Sequence, residues 1–216
     1  MPLPTLIPLF PLPNVVLFPH VLLPLHIFEP RYRRMVHDIP TGEGLIGMIL
    51  FRSAEDPLAG GRDVYSVGCA GRMIRKVDLP DGRSNILLQG VREFTPREQY
   101  FTEPYRTAAV EWRPAVARDF RLDAVLRERL KNSIRGFVQK QQESGGLRIL
   151  DDPTVTDETL VNLFAFALDF PVAEKQSLLE IEEPTARAVR LLDTLEFHDL
   201  ERECSPAVEA SKFRVQ

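Results

Sequence analysis

The hydrophobic pattern begins with an apolar segment that is repeatedly interrupted by proline. Residues 1–28 contain no Asp, Glu, Lys or Arg, and five prolines lie between residues 6 and 28. Each proline removes a backbone donor and disfavours helix at the preceding residue, which argues against a membrane-spanning helix. The first positive side chain is Arg31, so the basic start of a secretory signal is missing. The segment instead predicts short core strands at residues 6–10, 15–18 and 21–27.

The strand pattern continues to about residue 112. The segments EGLIGMILF (43–51) and EPYRTAAVEW (103–112) predict further strands. Residues 64–100 predict a long hairpin that turns at Pro80-Asp81-Gly82, because an Asp-Gly pair favours a tight turn. One helix is predicted at residues 30–39, with Pro30 at its first position. We therefore expect residues 1–117 to form a compact antiparallel β barrel with one short helix.

A helical period replaces the strand pattern after residue 117. Apolar side chains recur at steps of three and four residues along 118–142, which predicts an amphipathic helix. Thr156 is a suitable cap for a second helix, a third follows Pro171, and Pro184 opens a fourth. We expect a four-helix bundle at residues 118–204 and a flexible tail at 205–216. The predicted fold class is α+β.

Composition agrees with two ordinary globular domains of different charge. The 216 residues are 44% hydrophobic and 27% charged, with a net charge of −4. Residues 1–117 carry 13 basic and 12 acidic side chains, whereas residues 118–216 carry 14 and 19. Cys69 and Cys204 belong to no CxxC or Cys/His motif, and we expect both to be free thiols in a reducing cytoplasm.

The sequence offers little catalytic chemistry. It contains no GxxxxGK[ST] phosphate loop, no GxSxG or HExxH motif and no zinc-ligand spacing. Lys175 and Ser177 stand two positions apart on a predicted helix, so they point to different faces and make a poor Ser-Lys pair. We expect no enzymatic activity, no catalytic residue, no metal site and no cofactor.

The order of several motifs is more specific than any one of them. The segments LPLFPLPNVVLFPHVLLPLHIFEPRYRRMV, GLIGMIL, YSVGCAGRMIRKVDLPDGRSNILLQGVREF and FPVAEKQSLLEIEEPTARAVRLLDTLE follow one another along the chain. In this order they resemble the amino-terminal substrate-binding domain of the ATP-dependent Lon proteases, from about Leu6 to Leu200. The resemblance implies a PUA-like β barrel followed by a helical bundle.

The resemblance also implies a function. It implies recognition of unfolded or tagged polypeptides in protein quality control, with a separate protease or chaperone as a further partner. The ATPase and Ser-Lys peptidase motifs of Lon proteases are missing from the sequence, so proteolysis by this chain is not expected. No membrane partner is expected either.

The candidate contact residues lie where the resemblance is densest. They are Phe28, Glu29, Arg31, Tyr32 and Arg33. A structural role is the alternative for the same segment, with Phe28 as a hydrophobic staple, Glu29 favouring the helix dipole and the arginines on a solvated face.

Two other functions are alternatives to polypeptide binding. PUA-like barrels in other families bind RNA, and RYRR (31–34) together with Arg72, Arg75, Lys76, Arg83 and Arg92 could form a basic face. The pI of about 5.7 argues against nucleic acid, since such domains usually exceed about 9. A small-molecule sensor with an aromatic cage, as in cereblon, needs clustered tryptophans, and Trp112 is alone.

Overall fold

A computed structural model of the chain describes residues 3–52, 63–101, 104–140 and 147–212. In these ranges, strands and one helix come first and further helices follow. The elements are β1 (Leu6–Leu12), β2 (Leu22–Ile27), α1 (Pro30–Asp38), β3 (Leu45–Leu50), β4 (Gly68–Asp78), β5 (Ser84–Tyr100), β6 (Thr107–Trp112), α2 (Ala124–Lys140), a 3-10 helix (Leu147–Asp151), α3 (Asp157–Ala167), α4 (Val172–Glu180) and α5 (Pro184–Lys212). No helix in these ranges is long and apolar enough to cross a bilayer.

The chain forms two compact units, and their boundaries differ from the predicted domains. The strand unit comprises Met1–Ala115 and Ala165–Glu182, and the helical unit comprises Val116–Phe164 and Glu183–Gln216. The predicted change near residue 117 is close to the first boundary. The segment 165–182 departs from the predicted contiguous 118–204 domain, because it belongs with the strands.

Hydrogen bonds explain why α4 belongs to the strand unit. The side-chain amide of Gln176 donates to the carbonyl oxygen of Val67 at 3.0 Å. The guanidinium of Arg113 donates to the carbonyl oxygens of Leu179 and Glu180 at 3.4 and 3.0 Å. These bonds satisfy groups at the end of α4 with partners from the strand region. Helix α4 therefore groups with the strand unit, and the four-helix bundle stays a prediction.

The flexible tail at 205–216 stays a prediction, and residues 213–216 lie outside the described ranges. Helix α5 continues to Lys212, well beyond residue 204. Its last residues include the good helix formers Ala207, Glu209 and Ala210, but also Pro206, which removes a backbone donor inside the helix. Local propensity therefore does not explain why the helix continues past residue 204.

The six strands form one mixed sheet in the order β2-β5-β4-β3-β1-β6. β5 also pairs with β6, so the pairings run from β5 through β4, β3, β1 and β6 back to β5. A closed barrel requires such a circuit, and the barrel stays a prediction. The sheet is not purely antiparallel as predicted, because β1 pairs with β3 in parallel from Leu9 opposite Gly47 to Leu12 opposite Leu50. The chain between them runs through β2 and α1, which supplies the long crossover that a parallel pair needs.

The apolar opening segment supplies much of the core of the strand unit, as predicted. Leu23 and Ile27 of β2 are 6% and 1% exposed. Leu22, the first residue of the same strand, is 50% exposed. The predicted strand at 15–18 is not a strand, although Val16, Leu17 and Phe18 are buried. The chain turns directly after it, where His20 has a φ of 67°.

The β4–β5 hairpin turns where the Asp-Gly pair predicted. Gly82 has a φ of 78°, a conformation that a side chain would strain. The backbone amide of Leu79 donates to the carbonyl oxygen of Arg83 at 2.8 Å, and Asp81 accepts from the backbone amide of Arg83 at 3.0 Å. These bonds close the turn and fix the two strands that lead into it.

Capping residues set where the helices of the helical unit begin. Asp123 accepts from the backbone amides of Val125 and Leu126, so α2 starts at Ala124 rather than at the predicted residue 118. Thr156 accepts from the backbone amide of Thr159 and caps α3, as predicted.

A buried carboxylate at the start of α3 connects that helix with α2 and with the residues just before α2. Asp157 is 1% exposed and accepts from the backbone amide of Leu122 at 2.9 Å. Its other oxygen lies 2.7 Å from Nε of Arg127. One carboxylate therefore compensates both a backbone donor and a cation, and its removal would leave both without that partner.

We expect Leu23→Ala and Ile27→Ala to lower the free energy of unfolding by about 2 to 5 kcal/mol each, through lost burial and a cavity. Leu22→Ala is the matched control, because Leu22 is half exposed, and it should change stability by less than about 1 kcal/mol. Urea unfolding followed by tryptophan fluorescence reports on this unit, which contains Trp112. Equal midpoints for the Leu22 and Leu23 variants would contradict the assignment of β2 to the core.

We expect Asp157→Ala to destabilise the helical unit by about 2 to 4 kcal/mol, less than for a fully buried pair because Arg127 retains contact with solvent. Asp151→Ala breaks the exposed pair with Arg135 and should cost less than about 1 kcal/mol. Thermal unfolding followed by far-UV circular dichroism gives both values. A midpoint for Asp157→Ala that equals that of Asp151→Ala would refute the role given to Asp157.

Candidate functional site

The predicted contact residues lie where β2 passes into α1. Glu29 is the N-cap of α1, with an extended backbone, and its carbonyl oxygen accepts from the amides of Tyr32 and Arg33. Its carboxylate makes no capping bond and instead pairs with Arg31, whose Nη2 lies 2.8 Å from Oε2. Glu29 and Arg31 thus neutralise each other at the start of the helix.

Tyr32 is buried and does not share the exposed surface of its neighbours. It is 4% exposed and packs on Phe10, with ring centroids 4.0 Å apart. The guanidinium of Arg31 covers the ring at 4.6 Å from its centroid. Burial raises the pKa of the Tyr32 hydroxyl. Tyr32 is therefore a packing residue, and the surface prediction reduces to Phe28, Glu29, Arg31 and Arg33.

Phe28, unlike Tyr32, exposes its ring to solvent. It is 61% exposed and stacks beside His26, with ring centroids 6.3 Å apart. The predicted hydrophobic staple is not formed, because the fourth helical position is Arg33 rather than an apolar residue. His26 in turn contacts Asn85 of the neighbouring strand at 2.7 Å. Phe28 is thus presented to solvent beside β2.

Phe28 continues an exposed sheet surface, which we call the outer face. Successive strand residues alternate between faces, and β2 and β5 alternate between buried and more exposed positions in matching register. Val77 of β4 is opposite Asn85 and is 42% exposed. The outer face comprises Leu22, Pro24, His26 and Phe28 with Asn85, Leu87 and Gln89 of β5 and Arg75 and Val77 of β4.

A cleft of about 500 Å³ lies between α1 and the turn of the β4–β5 hairpin. Its polar lining consists of Arg33, Arg34, His37, Lys76, Asp78 and Ser84. The guanidinium of Arg33 lies so close to Gly82 that a side chain at position 82 would collide with it. The absence of a Cβ at Gly82 therefore gives Arg33 its place in the cleft.

Most charges around the cleft are compensated locally. Lys76 lies 3.2 Å from Asp78, and Ser84 donates to Asp78 at 2.6 Å. The Ser84 hydrogen bond and Lys76 lower the pKa of the Asp78 carboxyl. Arg34 pairs with Asp38 at 3.0 Å. Burial would raise the pKa of the Asp38 carboxyl, but hydrogen bonds from Arg34, His37 and Tyr105 outweigh it and lower the pKa.

The arginine of the turn is also compensated. Arg83 lies 2.5 Å from Asp81 and holds the pKa of that carboxyl at about 2. Arg31, Arg34 and Lys76 are paired with Glu29, Asp38 and Asp78, so four members of the predicted basic face carry an acid beside them. Such alternation gives phosphate groups little net positive charge to bind.

Trp112 does not present a cage to solvent. Its indole nitrogen donates to the carbonyl oxygen of Pro4 at 2.9 Å, and its ring packs edge-on against Phe94 at 6.1 Å. It joins the apolar core around Phe94. An aromatic-cage sensor therefore gains no support from Trp112.

The Lys175 and Ser177 side chains bind different backbone groups. Nζ of Lys175 donates to the carbonyl oxygen of Phe166 at 2.7 Å, and Ser177 donates to that of Glu174 at 2.8 Å. Burial lowers the pKa of the Lys175 ammonium. No group of His, Cys, Asp and Glu side chains in the described part of the chain could hold a metal ion.

The structure thus separates the five predicted residues into four settings. Phe28 extends the outer face, Glu29 and Arg31 pair with each other at the start of α1, Arg33 lines the cleft, and Tyr32 is buried. Sequence reasoning missed Leu22 and Val77, because an apolar strand residue is first assumed to be core. It placed Lys76 on one candidate basic face with residues 31–34 but missed Asp78, which the packing of α1 on the hairpin brings into the same cleft.

Comparison with known proteins gives a family and a fold. Residues 6–196 match the family model of the ATP-dependent protease La (LON) substrate-binding domain. The chain is 31% identical over 197 residues to a Lon protease of Parabacteroides distasonis, covering 86% of this chain and 23% of that protein. It is 25% identical over 205 residues to a Lon protease of Cytophaga hutchinsonii, covering 89% of this chain and 24% of that protein. The chain thus spans about a quarter of the length of these relatives.

Two solved structures are similar to the chain in fold. The Lon N-terminal domain protein from Xanthomonas campestris has a TM-score of 0.67 at 22% identity, covering 88% of this chain and 98% of that one. The N-terminal domain of the Mycobacterium avium complex Lon protease has a TM-score of 0.69 at 16% identity, covering 89% and 99%. Both are mixed α and β folds of the same kind as this chain.

Proposed function

This chain belongs to the family of ATP-dependent protease La (LON) substrate-binding domains, and we propose that it binds unfolded or tagged polypeptides on the outer face without cleaving them. The observation that carries the proposal is the exposure of apolar side chains on a sheet surface. Leu22, Phe28 and Val77 are 50%, 61% and 42% exposed. Exposed apolar surface of this kind is typical of a site that binds another protein.

The outer face is expected to bind unfolded polypeptides in preference to folded ones. An unfolded segment offers apolar side chains that a folded protein has already buried, so burial against Leu22, Phe28 and Val77 is available mainly to the unfolded form. His26 and Asn85 supply polar groups between these apolar side chains. These groups can donate hydrogen bonds to the backbone of a bound client or accept hydrogen bonds from it.

The client is proposed to bind through side-chain contacts on the outer face, and not by adding a strand to the sheet edge. β2 is the last strand in the sheet order, so its outer edge pairs with no strand in the described ranges. Pro24 lies in the middle of β2 and has no backbone donor to continue a ladder. Proline on an edge strand is a usual protection against added strands. The proposed client therefore lies on the face and not along the edge.

Charge favours a polypeptide over RNA as the ligand. The acids beside Lys76 and Arg83 leave few uncompensated bases near the outer face. Binding that depends on apolar contact should respond weakly to salt, whereas phosphate contacts lose affinity steeply as salt rises.

The proposed role in quality control is to hold a client for another protein. The matched model describes a substrate-binding domain, and Lys175 and Ser177 are each bonded to a backbone carbonyl rather than to each other. We propose that a separate protease or chaperone receives the polypeptide, in a reducing compartment that suits the free thiols Cys69 and Cys204.

We expect the Phe28→Ser/Val77→Ser double variant to bind an unfolded model protein about tenfold more weakly, because two partly exposed apolar side chains are removed. Fluorescence anisotropy with reduced, carboxymethylated α-lactalbumin, and with its folded form as reference, measures the loss. Phe197→Ser is the control, since Phe197 is 56% exposed on α5 in the helical unit. The melting temperature should stay close to that of the wild type in both variants.

Equal weakening by the control and the double variant would refute the outer face as the site. Equal binding of folded and unfolded forms by the wild type would refute recognition of the unfolded state. A steep loss of binding with salt, together with competition by RNA, would favour the RNA alternative.

We expect the purified chain to hydrolyse neither ATP nor a fluorogenic casein substrate. The sequence contains no GxxxxGK[ST] loop to hold the phosphates of ATP. Lys175 and Ser177 bond to different carbonyl groups, so neither activates the other. Peptidase activity that follows the protein through successive columns and disappears in Ser177→Ala and Lys175→Ala would overturn the non-catalytic assignment.

A further inference from the structure

We propose that the cleft between α1 and the β4–β5 turn binds a single carboxylate of the polypeptide client, with Arg33 as its partner. The inference rests on the proposed function and adds a chemical preference to it: clients with an acidic side chain close to an apolar segment. The cleft has a volume of about 500 Å³, ample for a carboxylate side chain.

Arg33 is the basic side chain of the cleft that has no acidic ion-pair partner among the described residues. Its guanidinium makes no ion pair or side-chain hydrogen bond with another residue in the described ranges, whereas Lys76 and Arg34 are paired with Asp78 and Asp38. The Arg33 guanidinium lies close to the turn at Gly82. An unpaired arginine can form a two-pronged bond with a planar carboxylate, and such charge-assisted bonds are among the stronger ones.

The acids near the cleft favour a carboxylate over a phosphate. Asp78 lines the cleft and keeps its charge, because Ser84 and Lys76 lower the pKa of its carboxyl. Asp38 lies at the end of α1 and is likewise ionised. One spare positive charge balances one carboxylate, whereas the nearly doubly charged phosphate group would experience repulsion from both aspartates.

The position of the cleft connects it with the outer face. Phe28 ends that face, and Pro30, two residues later, belongs to the cleft lining. Two residues span at most about 7 Å, so an extended client crosses from one to the other within about three residues. A client with a large apolar residue three positions from Glu or Asp can therefore occupy both sites.

The experiment uses the full chain and two labelled peptides with amidated C-termini. Each peptide carries a Phe-Leu segment, followed three residues later by Glu in one and by Gln in the other. Fluorescence anisotropy compares the wild type with Arg33→Gln, Arg33→Lys and the control Arg97→Gln, which removes an arginine paired with Glu111 elsewhere on the strand unit. Competition by acetate and by inorganic phosphate tests the anion class.

We expect the wild type to bind the Glu peptide about fivefold more tightly than the Gln peptide. Arg33→Gln should abolish this difference and leave binding of the Gln peptide unchanged. Arg33→Lys should keep part of the difference, because it keeps the charge but loses the fork. Arg97→Gln should keep all of it, and acetate should compete better than phosphate does.

Four results would overturn the inference, and they differ in whether they also refute the proposed function. Equal binding of both peptides by the wild type would remove the carboxylate preference and leave the outer face standing. A preference that persists in Arg33→Gln, or stronger competition by phosphate, would assign the cleft to other chemistry. Failure of the wild type to bind either peptide would refute the proposed function and the carboxylate site together.

Discussion

The fold of the strand unit depends on a close backbone contact between β5 and the loop before β2. The amide of Gly90 donates to the carbonyl oxygen of Val21 at 2.8 Å, and the amide of His20 donates to that of Gly90 at 2.9 Å. A Cβ at position 90 would collide with the carbonyl oxygen of Phe18, so only glycine permits this approach. The contact fixes the point at which β2 begins to pair with β5. Since a slip by one residue exchanges the two faces of a strand, this register decides which side chains of β2 are core and which are surface.

Stability and proposed function then depend on opposite faces of the same short strand. Leu23 and Ile27 point into the core, while Leu22 lies outside. Because β2 leads directly into α1, its register also sets the place of Phe28 and brings Arg33 to the turn at Gly82. An apolar segment without charges can therefore be both a core strand and a binding surface. We therefore expect substitutions on one face to affect unfolding and those on the other to affect the proposed binding.

The sequence predicts what is local and misses what depends on distant partners. The hairpin turn and the cap at Thr156 follow from the chemistry of a few adjacent residues, and both were confirmed. The parallel pairing of β1 with β3 and the position of α4 depend on contacts between distant segments, which periodicity does not encode. The burial of Tyr32 had a local signal, because Tyr32, Met35 and Val36 recur at helical spacing on the buried side of α1. The basic residues on either side of Tyr32 favour an exposed helix face instead, so the two local signals conflict.

The exposures on the outer face also limit how tightly a client can be held. Full burial of one large apolar side chain contributes about 1.5 to 3 kcal/mol, and Leu22, Phe28 and Val77 have only about half of their surface left to bury. Three such contacts sum to roughly 2 to 4.5 kcal/mol before the cost of ordering the client, which corresponds to an affinity in the millimolar range or weaker. Binding of that strength is fast to reverse, which suits a protein that passes its client to another. A carboxylate at Arg33 would raise the affinity for some clients several-fold without making release slow. The cleft would then select among unfolded polypeptides, and the outer face would exclude folded ones.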